Sequence, residues 1–188
     1  MIFKYIKNRL NILRYLCIKY DKSLRGREMK VYLGIGTNLG DRGKNLSEAI
    51  ALIKEHIGRV KQVSSVYETE PWGFASENDF LNIAAEVETK LKPSGLLGRI
   101  LMIEANMGRL RDEKKYSSRQ IDIDILLYGD MILEAKSLVI PHPGLHERRF
   151  VLVPLNDIAG DILHPKLGKT IKVLLKECPD KSRVKKLK

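Results

Sequence analysis

Two β-type runs, RVKQVSSVYE (59–68) and FLNIAAEVETK (80–90), follow one another with only TEPWGFASEND between them. The Pro, Gly, Ser and Asn of that stretch make it a loop. A fold that alternates strand and helix throughout has no place for such a pair. Before it, VYLGIGT (31–37) reads as a strand and about 43–57 as a helix. Leu46, Ile50, Ile53 and Ile57 keep helical spacing, Asn45 and Glu48 have capping-box character, and Gly58 suits the C-cap. After the pair, KPSGLLGRILMIEANMG reads as a helix entered through Pro93 and ended at Gly108. A basic polar loop (109–120) then leads into the alternating strand IDIDILLYG. The order β-α-β-β-α-β predicts an α+β fold, a ferredoxin-like sandwich with two helices on one face of a four-stranded antiparallel sheet. Further hairpin and helical segments follow at the C-terminal end.

The length of 188 residues suits one domain with a sizeable core. The net charge of +11 raises the question of nucleic acid, but its location argues against it. Residues 1–29 hold eight Lys/Arg against two acids, and 180–188 hold five against Asp180. The body between them has 21 basic and 20 acidic residues, so the excess lies in the ends. Residues 1–29 read as a dispensable basic amphipathic extension, 30–179 as the catalytic domain and 180–188 as a basic tail. No apolar run approaches the ~18 residues of a membrane span. Two cysteines, Cys17 and Cys178, lack metal-ligand spacing and point to a reducing, cytoplasmic setting.

The richest chemistry lies in GRLRDEKKYSSRQIDIDILLYGD (108–130). Strand alternation puts Asp122 and Asp124 on one face, with Cα atoms about 6.6 Å apart at ~3.3 Å per residue. Side by side they repel, and a divalent metal pair would remove the repulsion. Magnesium takes oxygen ligands and leaves positions for water and phosphate. The other reading is that the two aspartates simply face solvent. Arg109, Arg111, Lys114, Lys115 and Arg119 precede them in a glycine-bounded loop, and cations beside a metal-binding pair call for a polyanion between. Surface salt bridges are the weaker account of these cations. In IPHPGLHERRFVLVPL, His142 and Arg148 follow by about one hairpin, near enough to reach the same phosphates. His56, His146 and His164 read as structural or surface residues. For an organic substrate, Thr69, Trp72, Phe80 and Asn82, with Phe150 later, supply aromatic planes and an amide for a flat heterocycle.

Four stretches in this order carry a resemblance: LGIGTNLGDR, SSVYETEPWG…FLNIAAEVET, GRLRDEKKYSSRQIDIDILLYG and IPHPGLHERRFVLVPL. Together they resemble the 6-hydroxymethyl-7,8-dihydropterin pyrophosphokinases of folate biosynthesis, over about residues 30–165. The resemblance implies a ferredoxin-like sandwich and transfer of the terminal diphosphate of ATP to the pterin hydroxymethyl group, releasing AMP. It further implies that Asp122 and Asp124 bind two Mg2+ ions, and that Arg109 and Arg119 grip the phosphates with help from His142 and Arg148. Glu104, Arg111, Tyr116 and Ile125 would surround the nucleotide. The pterin would lie between Phe80 and Phe150, with Thr69, Glu70, Trp72 and Asn82 lining its pocket. ATP and the pterin are then the partners of a cytoplasmic monomer, with no nucleic acid.

Ser117 and Tyr116 depart from the family's usual residues at their positions, and 1–29 lie outside its pattern; no presumed ligand is lost. Two rivals are weaker. A nucleotide-dependent oxidoreductase would use the first glycine loop, but Leu39 fills the third glycine position of G-x-G-x-x-G. An RNA-binding module of the same topology would want a basic, aromatic sheet face, where this chain offers two aspartates. The glycines of LGIGTNLG therefore read as a sharp strand-to-helix turn that leaves room for a pocket, rather than as the phosphate cradle.

Overall fold

The computed structural model describes residues 27–73, 78–108 and 118–187. Its strands are β1 (Met29–Thr37), β2 (Arg59–Val63), β3 (Tyr67–Thr69), β4 (Phe80–Thr89), β5 (Asp122–Tyr128), β6 (Leu133–Ala135), β7 (Leu138–Ile140) and β8 (Val184–Lys186). Its α-helices are α1 (Arg42–His56), α2 (Pro93–Asn106), α3 (Arg149–Ala159) and α4 (Ile171–Glu177). β1 lies between β5 and β4, β2 and β3 both pair with β4, and β8 pairs with β3. Every one of these pairings is antiparallel. With β2 and β3 taken as one interrupted strand, the order is fourth, first, third, second, the arrangement expected of the ferredoxin-like sandwich. The parallel sheet that a dinucleotide-binding oxidoreductase needs is not formed by these strands.

The sheet separates two apolar layers. Val31, Leu33 and Ile35 of β1 point to one face, with Ile83, Ala85 and Val87 of β4 and Ile123 and Ile125 of β5. They pack against α1 and α2 through Ile53, Ile100 and Ile103, which are all but inaccessible to solvent. On the opposite face Tyr32, Ala84 and Leu126 pack under α3 and α4 through Leu152, Leu155 and Leu174. This second helical layer covers only part of its face, and the remainder is open for a site.

Local chemistry moves several predicted boundaries. The run 59–68 forms two strands because the Ser64 hydroxyl accepts the Ala84 N–H at 2.9 Å, taking the place of a backbone carbonyl in the ladder. α1 begins at Arg42 with Asp41 as N-cap, its carboxylate accepting the Lys44 N–H at 2.9 Å. Asn45 is therefore inside the helix, where it serves the loop before it. α2 starts at Pro93 as expected and gives out just before Gly108, whose φ of +83° suits glycine. β8 lies within the segment read as a basic tail and adds a strand to the sheet edge.

Candidate active site

The open part of the second face is floored by alternate residues of three strands. Register puts Asp122, Gly36 and Asn82 in one row across β5, β1 and β4. Asp124, Gly34 and Ala84 form the next row. A β-carbon on Gly36 would lie 2.6 Å from Asn82 Oδ1, closer than real contacts allow. The glycine therefore leaves the Asn82 amide its place, with Nδ2 donating to Thr69 Oγ1 at 2.8 Å. Above this floor lies a cavity of about 490 Å³.

The first loop acts on the cavity through Arg119. Asn38 Oδ1 accepts the Arg119 backbone N–H at 2.7 Å, and the Asn38 N–H donates to the Arg119 carbonyl at 3.2 Å. Asn45 Nδ2 donates to the carbonyls of Leu39 and Gln120 at 2.9 and 3.1 Å. The turn thus fixes the chain just before β5, and the Arg119 guanidinium donates to the Asp122 carboxylate. A cation, two aspartates and the glycine floor meet at one end of the cavity.

His142, beside Asp124, and Arg148, beside Trp72, also line the cavity. The His142 N–H donates to the Leu126 carbonyl at 3.0 Å, and its ring Nδ1 accepts from the Gly144 N–H at 3.2 Å. Burial, and then the charge of Arg148, press the His142 pKa down to about 4, only partly opposed by Asp122. At neutral pH the ring is uncharged with its proton on Nε2, so the 3.8 Å approach to Asp124 Oδ2 is not an ion pair. Gly144 makes room for Arg148, whose Nε would stand 2.7 Å from a β-carbon there. The Arg148 guanidinium carbon lies 4.7 Å from the centroid of the Trp72 ring, and Trp72 tilts against Phe150 with centroids 6.3 Å apart. Thr69, Glu70, Phe80 and Asn82 complete this aromatic end.

Glu104 is buried beneath the edge of β5 and accepts the Ile123 N–H at 2.9 Å. That bond holds the strand between the two aspartates, and Glu104 and Ile125 both line the cavity. Among the described residues no group of three or more His, Cys, Asp or Glu side chains is placed to hold a metal. Two carboxylates leave most of an octahedral shell to water and phosphate oxygens, which is how magnesium is held together with a nucleotide. The donor set fits that ion.

The family model described as 7,8-dihydro-6-hydroxymethylpterin-pyrophosphokinase (HPPK) matches residues 32–160, the span that builds this cavity. The chain belongs to this family. Among HPPK relatives, the 2-amino-4-hydroxy-6-hydroxymethyldihydropteridine pyrophosphokinase of Aquifex aeolicus is 40% identical over 142 residues, covering 76% of this chain and 88% of that one. The Bacillus subtilis protein of the same name is 42% identical over 132 residues, covering 70% of this chain and 78% of its own length. A triple mutant of Plasmodium falciparum HPPK-DHPS, solved with STZ-DHP, superposes with a TM-score of 0.67 at 19% identity, a likeness of fold. It covers 80% of this chain, which spans 43% of that longer one.

In this HPPK chain every described residue of the predicted site lines the cavity. Arg109, Arg111 and Tyr116 lie outside the described residues. Sequence reasoning missed the clamp from Asn38 and Asn45 onto Arg119 and Gln120, although both asparagines stand in the first quoted motif or just after it. It also missed Lys136 and Ser137, which line the cavity from the turn between β6 and β7, and Leu138 at the start of β7. The Ser137 hydroxyl is buried with no hydrogen-bond partner among the described residues. A short polar turn in an apolar hairpin was the only available signal for them.

Proposed function

We propose that this HPPK-family chain transfers the terminal diphosphate of ATP to the hydroxymethyl oxygen of 6-hydroxymethyl-7,8-dihydropterin, releasing AMP, as a step of folate biosynthesis. The row Asp122–Gly36–Asn82 carries the assignment: a carboxylate suited to metal-phosphate and an amide suited to a heterocycle share one floor with no side chain between them. A substrate bridging the two ends would bring its hydroxyl to a bound triphosphate.

Asp122 and Asp124 would hold two magnesium ions, which when bound neutralise phosphate charge. Arg119, with Arg109 and Arg111, would grip the triphosphate. Arg148 and the neutral Nε2–H of His142 would also donate to it. Glu104, Tyr116 and Ile125 would border the nucleotide. The pterin would stack between Phe80 and Phe150, beside Thr69, Glu70 and Trp72, with Asn82 pairing to its ring. The hydroxymethyl oxygen attacks the β-phosphorus in line and gives up its proton to solvent, while the bond from that phosphorus to the bridging oxygen of AMP breaks and AMP leaves with the electron pair. Positioning and charge neutralisation supply most of the acceleration in such transfers, so no strong protein base is required.

The domain, read as residues 30–179 and here extended by Met29 of β1 and by β8, would act as a monomer in the cytoplasm, with the rest of residues 1–29 dispensable. No helix among the described residues is long and apolar enough to cross a membrane. Phosphorus NMR of the protein with ATP, magnesium and the hydroxymethyl dihydropterin tests the assignment. AMP and pterin diphosphate are expected in equal amounts; ADP, or no turnover, overturns it.

A further inference from the structure

The connection from β3 to β4 carries Trp72 and is flanked by Thr69, Phe80 and Asn82, so its two ends set the width of the aromatic end of the cavity. Those ends are acidic. The β3–β4 pairing ends at Thr69 and Phe80, and the next residues outward are Glu70 and Asp79. Two carboxylates at the mouth of one connection repel and favour its widening.

Arg183 answers this repulsion from outside the family match, which ends at residue 160. β8 runs antiparallel to β3 with Val184 opposite Thr69, and Arg183, the next residue outward, reaches Glu70. Its Nη2 donates to Asp79 Oδ2 at 2.6 Å, and its Nε faces Glu70 Oε1 at 3.4 Å. One guanidinium therefore touches both carboxylates. On the neighbouring face Arg42 Nη1 donates to the Asp79 carbonyl at 2.7 Å and Nη2 to Glu68 Oε1 at 3.2 Å. Arg42 holds the backbone of the junction, and Arg183 holds its two side chains.

We infer that Arg183 is a positioning residue for the heterocyclic substrate: by bridging Glu70 and Asp79 it sets the spacing of the β3–β4 ends, and with it the placement of Thr69, Trp72, Phe80 and Asn82. The inference rests on the proposed pterin site. Arg183 does not line the cavity and touches no substrate. Its effect falls on the aromatic end and leaves the aspartate end alone, because β5 lies at the other side of the sheet.

The test is fluorescence titration of the full chain with 6-hydroxymethyl-7,8-dihydropterin, in the presence of magnesium and a non-hydrolysable ATP analogue. Arg183→Ala is expected to weaken pterin binding about fivefold, the scale of one or two partly exposed ion pairs. Affinity for the ATP analogue and the urea midpoint stay at wild-type values. Arg183→Lys restores only part of the loss, since an ammonium cannot hold two carboxylates as a fork does. In an Asp79→Asn background the repulsion is gone, and Arg183→Ala costs less than about twofold. Unchanged pterin affinity in Arg183→Ala overturns the inference. So does an equal loss for both ligands with a lowered midpoint, which marks a general structural role. Wild-type protein that neither binds nor converts the pterin overturns the proposed function itself, and the NMR assay identifies that case separately.

Discussion

Gly36 and Asn82 are paired across β1 and β4 so closely that a β-carbon on the glycine would stand 2.6 Å from the amide oxygen. Gly36→Ala must therefore push the Asn82 side chain off Thr69 while leaving the backbone φ of an ordinary strand. Pterin affinity is expected to fall about tenfold, equivalent to about 1.4 kcal/mol, with a smaller change in nucleotide affinity. Isothermal titration of each ligand alone measures both. Equal affinity for the pterin in wild type and variant would separate Asn82 from ring recognition.

Asp122→Asn and Asp124→Asn keep the size of each side chain and remove the charge. Each is expected to lower kcat by at least about 10³-fold, because charge positioning dominates phosphoryl transfer. Stability should move by less than about 1 kcal/mol, since Asp122 and Arg119 are partly exposed. Electron paramagnetic resonance with Mn2+ and ATP gives a readout apart from turnover: bound metal should drop in both variants.

Glu104→Ala removes the acceptor of the Ile123 N–H and leaves a buried donor unsatisfied. The expected cost is about 1–3 kcal/mol in urea unfolding. Because Ile123 stands between the aspartates, kcat should fall as well. Glu104→Gln retains a carbonyl acceptor and should recover most of the stability.

The depressed pKa of His142 sets a direction for acid sensitivity. Its folded value of about 4 lies below the ordinary 6.5, so between those limits the unfolded chain binds more protons. Stability thus rises with pH across that window and is lost as pH falls from about 6.5 toward 4. The contribution is at most about 3 kcal/mol. His142→Asn should flatten this part of the profile, seen by urea unfolding at pH 5 and 7.

The fold was legible because its strongest signals are local. The helix-free step from β2 to β4, Pro93 at the start of α2 and the isoleucine–aspartate alternation of β5 each follow from one short window. The paired aspartates and the aromatic set were legible for the same reason, since strand alternation gives their facing directly. The contacts that hold the site lay out of reach because they join distant positions. Asn38 meets Arg119 across 81 residues, and Arg183 meets Asp79 across 104. A local window also assigned Asn45 to capping, whereas Asp41 caps α1 and Asn45 bonds to Gln120. The interruption at Ser64 depends on a hydroxyl entering a ladder, and a polar residue in an alternating run does not announce that.

β1 runs through the middle of the sheet with two masters. Val31, Leu33 and Ile35 belong to the buried layer under α1 and α2, whereas Gly34 and Gly36 belong to the floor of the cavity. Neighbouring residues in this strand therefore carry different duties, one in the persistence of the fold and the next in what the molecule accepts. Substrate preference can be altered at Gly36 while Val31 and Leu33 keep the scaffold, and the scaffold can be reinforced at Val31 and Leu33 without disturbing the preference.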